Sequence, residues 1–238
     1  MKKSVLIAVA AVAFIGGSSF SYFTECGSFE QFTEGVTYTM TNYSEKGKVE
    51  STVDGKVSKV VTGVESTKAT VDVVMKDAKG KESRTGSYEL TCTGNSYSMD
   101  MKNFITPQQK EAYKDMDIKM EGDMLDYPSN MTAGMDLPNG TMKMVVTDKG
   151  TEVNNTTILI HDRKCQALES RTTPAGTWEC YKITYTMDIT MKIGTMTMPI
   201  KPRTATEWFS FKVGAVRTES YKNDKLESYS ELTAFKKP

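Results

Sequence analysis

Histidine, tryptophan and long apolar runs are scarce in this chain, and each scarcity removes a class of function. One histidine, His161, stands among 238 residues. A histidine-rich metal site is therefore excluded. No nucleophile elbow or H-E-x-x-H pattern accompanies it. His161 follows Ile158-Leu159-Ile160 and precedes Asp162-Arg163, which reads as a strand end or surface position rather than a catalyst. No P-loop, dinucleotide fingerprint or D-x-D-x-D-G calcium loop occurs. Only two tryptophans occur, Trp178 and Trp208, and without a motif or an evident aromatic sugar platform a paired-carboxylate glycosidase has no support. Thirty basic residues balance thirty acidic ones. Without a basic stripe there is no case for nucleic acid. We expect no catalytic residues, no cofactor and no enzymatic activity.

The one long apolar run is Val5–Ile15, preceded by Lys2-Lys3 and followed by Gly16, Gly17, Ser18, Ser19 and Ser21. A run of roughly a dozen residues falls short of the about 20 needed to span a bilayer. A basic start, a short apolar centre and small residues form the layout of a cleavable secretory signal, here residues 1–21. Phe23, Thr24 and Glu25 precede Cys26, and a charged residue there argues against a lipidation site. Residues 22–238 are expected to form one exported, soluble, β-rich domain, periplasmic or secreted, with no membrane span.

What the chain does have is alternation. Tyr181, Ile183, Tyr185, Met187, Ile189, Met191 and Ile193 are separated by Lys182, Thr184, Thr186, Asp188, Thr190 and Lys192. Period two over this length predicts a long strand with one buried face. Val36-Tyr38-Met40, Tyr97-Met99-Met101, Met142-Met144-Val146 and Phe209-Phe211-Val213 follow the same rule. Turn chemistry at 45–48, 77–80, 148–150 and 223–224 predicts hairpins between them. After Gly194 the apolar set moves to Met196, Met198 and Ile200, which predicts a bulge or tight turn there. Thr106-Pro107-Gln108-Gln109 predicts one short helix over about 106–115. The fold class is all-β with that helix: a large curved antiparallel sheet or incomplete barrel.

Four cysteines in an exported chain predict disulfides, with three pairings formally open. Cys165 and Cys180 are equidistant from residues 172 and 173, the centre of a predicted hairpin, and are expected to bridge its strands. Elimination then pairs Cys26 with Cys92.

Sixteen methionines, many spaced i, i+2, admit three readings: core filling, an adaptable cavity lining, or thioether chelation of copper(I). Their flexible side chains on a curved sheet suit an apolar ligand. The candidate lining is Tyr181, Ile183, Tyr185, Met187, Ile189 and Met191, with Met99, Met101, Met142 and Met144 as additions.

Thr172-Thr173-Pro174-Ala175-Gly176-Thr177-Trp178-Glu179-Cys180-Tyr181-Lys182-Ile183 resembles a signature of the TapB-like family of exported bacterial proteins, a domain of unknown function. Glu207-Trp208-Phe209 through Gly214-Ala215-Val216-Arg217, and Tyr127-Pro128 with Leu137-Pro138, are similar to further elements of it. The resemblance implies an exported β-rich domain whose curved sheet is similar to periplasmic lipoprotein carriers. The expected partner is a lipid or other apolar small molecule. The alternative is an envelope protein docking on a module with a filled core.

Overall fold

The computed structural model describes residues 29–94, 96–100 and 115–238. Thirteen strands form one antiparallel sheet: β1 (Thr37–Ser44), β2 (Val49–Thr62), β3 (Ser66–Asp77), β4 (Glu82–Thr93), β5 (Ser96–Asp100), β6 (Asp117–Gly122), β7 (Met124–Pro128), β8 (Gly140–Asp148), β9 (Thr151–Thr173), β10 (Gly176–Ile193), β11 (Met196–Ser210), β12 (Gly214–Lys222) and β13 (Lys225–Lys236). Their spatial order is β6-β8-β9-β10-β11-β12-β13-β1-β2-β3-β4-β5-β7. Two meanders, β1 to β5 and β8 to β13, are joined where β1 pairs with β13. The expected fold class is found, a large curved sheet whose ladder stays open.

All four predicted turn segments join consecutive strands. Asn223 and Asp224 both have positive φ, 50° and 60°. That is the handedness a two-residue hairpin needs to match strand twist. Gly194, at φ 57°, lies in an equally tight turn, and Ile193 pairs directly with Met196. The apolar set therefore changes from odd to even positions without changing face. Other expectations differ in detail. β11 stops at Ser210, so Phe211 and Val213 lie in the turn before β12. The helix expected over 106–115 lies outside the described residues except for Asp115, which is in a turn.

A short 3-10 turn, Glu30–Phe32, plugs the concave side. Phe29 stacks on Phe211 at 5.3 Å and meets Tyr97 edge-on at 6.2 Å, while Tyr97 packs edge-on against Phe209 at 5.2 Å. Gln31 organises this plug. Its amide donates to the Val213 carbonyl, and its Oε1 accepts from the Tyr97 hydroxyl at 2.7 Å. Gly214, at φ 80°, passes beneath it, and a Cβ there would lie 2.6 Å from the Gln31 amide nitrogen.

The Cys165–Cys180 disulfide is not formed; both thiols are free and buried. The β9–β10 turn centres on Pro174-Ala175, later than sequence symmetry suggests, with Thr173 opposite Gly176. That register sets Cys180 opposite Glu169. An extra β9 residue then sets Cys165 opposite Ile183. Cys180 and Ile183 are three residues apart on one strand and point to opposite faces, so the sheet separates the two sulfurs. Burial pushes the Cys180 thiol up to about 12. Cys92 is disulfide-bonded, and Cys26, its expected partner, lies outside the described residues.

Two measurements check this description. A thiol-specific maleimide should leave Cys165 and Cys180 unmodified in the native protein and label both in denaturant without reductant; resistance after unfolding would restore the cross-strand bridge. Gly214→Ala should lower unfolding free energy in urea by at least about 1–2 kcal/mol, the cost of forcing a Cβ into the left-handed region, with the displaced Gln31 adding to it.

Candidate functional site

Between the two meanders the concave face is incompletely filled. A cavity of about 200 Å³ lies there. It is lined by Tyr38 and Met40 of β1, Tyr88 of β4, Tyr97 and Met99 of β5, Val213, Ala215 of β12, and Leu232 of β13, the cross-strand partner of Met40. Gln31 and Asp100 also border it. Alternation on β1, β4 and β5 delivers these side chains to one face. The close approach of Tyr38 to its cross-strand partner Gly55 shapes the wall further, since a Cβ on Gly55 would lie 2.2 Å from the ring.

The polar atoms at the cavity largely satisfy one another. The Tyr38 and Tyr88 hydroxyls are 2.5 Å apart. Gln31 is held by Tyr97 and the Val213 carbonyl. Burial pushes Tyr88 up to about 12 and raises Tyr38 and Tyr97 well above the usual phenol value. These groups stay neutral across physiological pH. The cavity therefore offers apolar contact and few free hydrogen-bonding groups, a surface suited to an uncharged, apolar guest.

Of the ten residues read from sequence as lining, Met99 reaches this cavity and Met101 lies outside the described residues. Ile183, Met142 and Met144 are buried in the sheet's packed interior. Tyr185 and Met187 pack against the core from partly buried positions. Tyr181 borders a cleft with Phe29, Trp178 and Phe211. Ile189 and Met191 are half-buried farther along β10. The cavity residues Tyr88 and Leu232 escaped sequence reading, whereas Tyr38 and Met40 had been recognised only as a strand face. The pattern of β4, Tyr88-Leu90-Cys92, was a legible signal, but which strands oppose each other across the concavity is not written in any local pattern.

A second concentration of chemistry lies in the interior, away from the cavity lining. Tyr127 of β7 stacks on Phe209 of β11 at 4.0 Å, nearly parallel. Its hydroxyl donates to both Glu207 carboxylate oxygens, at 3.1 and 3.2 Å. Arg163 of β9, only 2% exposed, lies over the Tyr127 ring at 4.9 Å and donates from Nη1 to the carbonyls of Asp126 and Pro138. Loss of hydration raises Glu207 above the ordinary glutamate value, opposed by the Arg163 charge and the Tyr127 hydrogen bond. Such a perturbed carboxyl is a familiar mark of catalytic sites and of structural networks alike. Here its named contacts tie strands together.

His161 is bound at both nitrogens, Nδ1 2.9 Å from Asp162 and Nε2 3.1 Å from Asp188 on the neighbouring strand. It sits mid-strand on β9, beside the bulge at Asp162, whose φ is 53°. On the opposite face of the sheet from Phe209, Trp208 donates its Nε1–H to Glu169 at 2.6 Å and lies under the Arg171 guanidinium at 4.3 Å. These are hydrogen-bonding and packing arrangements between strands.

Residues 33–232 match the family described as DUF3108-like. Two solved structures share the fold. One, named "putative exported protein with YmcC-like fold", from Bacteroides fragilis, is 29% identical with a TM-score of 0.67 and covers 86% of this chain and 97% of its own. The other, named "putative lipoprotein", from Parabacteroides distasonis, is 28% identical with a TM-score of 0.67 and covers 88% of this chain and 98% of its own. No curated protein matches. The family matched is DUF3108-like, and the TapB-like name suggested by residues 172–183 and 207–217 is not confirmed by it.

Glu207 makes a signed prediction about pH. An acid whose value is raised on folding contributes stability that is full below its unfolded value, about 4.3, and is lost as pH rises through the folded one. The unfolding free energy of the wild type, minus that of Glu207→Gln, should therefore become less favourable from acid to neutral pH. A difference that grows more favourable with pH would show that Arg163 outweighs burial.

Proposed function

We propose that this chain, which belongs to the DUF3108-like family, is an exported envelope protein that holds an apolar or lipid-like molecule in the concavity of its sheet. The two structural relatives, named as exported protein and lipoprotein, support the location. No helix among the described residues is long and apolar enough to cross a membrane. The observation that carries the binding reading is the cavity itself: about 200 Å³ between Met40, Met99, Leu232 and the paired Tyr38 and Tyr88 hydroxyls. An apolar cavity of about 150 Å³ is enough to take up benzene. This one would hold a small apolar group or one end of a longer chain. Methionine walls adapt to different shapes. The reading is one of binding and not catalysis, because Glu207 and Arg163 bind to interior partners and do not border the cavity.

A second reading is an envelope interaction module with no ligand. The full burial of Ile183, and the near-complete burial of Met142 and Met144, favour it, since much of the concave face is already packed.

Native mass spectrometry of the protein recovered from the envelope, followed by organic extraction, separates the two. Under the binding reading, an apolar molecule co-purifies and is lost from Met99→Trp or Leu232→Trp, whose indoles fill the cavity, while the far-ultraviolet β signal persists. A clean apo mass that is unchanged by exposure to envelope lipids moves the assignment to the interaction module.

A further inference from the structure

The β10–β11 hairpin carries the largest exposed apolar side chains that adjoin one another. Three cross-strand pairs stack along its free end: Ile189 opposite Ile200, Met191 opposite Met198, and Ile193 opposite Met196. Direct pairs share a face, so these six residues form one continuous strip. Ile193 is 48% exposed, Met196 64%, Met198 39% and Ile200 37%. Single exposed apolar residues are ordinary, but a contiguous group at a tip marks an interaction surface.

On its β11 side the tip runs past β12, while β9 stays paired with β10 as far as Asn154 opposite Ile193. β12 pairs with β11 only from Thr204 to Ser210, which leaves Met196–Arg203 without a strand partner on that side among the described residues. An unpaired edge normally invites strand addition. Pro199 and Pro202 remove two backbone donors from this one, which blunts it against another chain's backbone. Contact must come through side chains.

The charge on the ribbon is of one sign. No acidic residue occurs between Asp188 and Glu207, whereas Lys192, Lys201 and Arg203 do. Arg203 is engaged by Glu227 at 2.7 Å, and Lys192 lies 3.8 Å from Glu152. Lys201 makes no ion pair among the described residues. Apolar residues at a hairpin tip, lysines behind them and no carboxylates along the segment are the pattern that seats a protein in the interface of an anionic bilayer.

We infer that the β10–β11 tip is a membrane-docking element, which inserts Ile193, Met196, Met198 and Ile200 at the surface of an anionic phospholipid bilayer, with Lys192 and Lys201 at headgroup level. This goes beyond binding in the cavity, and neither depends on the other. Cavity occupancy is read by mass; docking is read on vesicles by substitutions remote from the cavity.

The test uses the protein as recovered from the envelope, with the same N-terminus in every variant, and vesicles of phosphatidylethanolamine with phosphatidylglycerol or of phosphatidylcholine alone. The wild type should co-sediment with the phosphatidylglycerol vesicles. Met196→Asp combined with Met198→Asp should weaken binding by at least about tenfold, as expected for losing two buried apolar side chains. Lys201→Glu should weaken it by roughly tenfold at low salt. Both variants should keep the wild-type melting temperature, because the sites are exposed. Met196→Trp should add a fluorescence component that shifts to the blue with phosphatidylglycerol vesicles, and this reports on the tip whatever the N-terminus does. An unshifted tryptophan overturns the proposal, as does undiminished binding of the Asp variant. A wild type that ignores vesicles but forms a dimer abolished by the Asp pair also overturns it and gives the strip to a second copy of the chain.

Discussion

Asp123 alone separates β6 from β7, yet those two strands lie at opposite edges of a thirteen-stranded sheet. One residue spans at most about 3.6 Å. The sheet must therefore curl until its edges meet. They meet without a continuous ladder: Asp123 donates its N–H to the Thr141 carbonyl at 2.8 Å, and the Arg163 side chain reaches from β9 to the Asp126 carbonyl on β7 at 2.9 Å. The curl brings Tyr127 of one edge onto Phe209 from the middle of the sheet. The aromatic interior, the buried Glu207 and the concave cavity all follow from that closure.

Closing the edges places a guanidinium and a carboxylate where water is largely excluded. Arg163 Nη1 is satisfied by two carbonyls, while its Nε and Nη2 find no hydrogen-bond partner among the described residues. The strand that covers Phe209 offers the Asp126 carbonyl to Arg163 and the Tyr127 hydroxyl to Glu207 together.

The curl also divides the concave surface into zones. Near Tyr97 and Phe209 aromatic rings fill it. Between β1, β5 and β13 the filling is incomplete, because Tyr38 and Tyr88 satisfy each other and leave methionine and leucine to face the space. At the far end of β10 and β11 the same alternating face runs out past β12 and meets solvent. One strand thus passes from packed interior at Ile183 to exposed tip at Ile193 with no change in its pattern, which is why a single lining could be read along it from sequence.

Alternation over 181–193, the four turn segments and the scarcity of catalytic motifs were local facts, so the sequence by itself determined an antiparallel, strand-dominated domain and most of its hairpins. Local chemistry suffices there because side-chain direction in a strand depends only on parity, and hairpin turns depend on a few residues with positive φ. It also contained the wrong inference for Cys165 and Cys180, since one extra residue on β9 reverses a face without leaving a compositional mark. Tertiary structure alone decided that β6 and β7 are opposite edges, that Glu207 and Arg163 share an interior, and that Tyr88 and Leu232 face one cavity across residues far apart in the chain. Those outcomes depend on strand order and curvature, and both are set by which non-local edges can bury aromatic surface together.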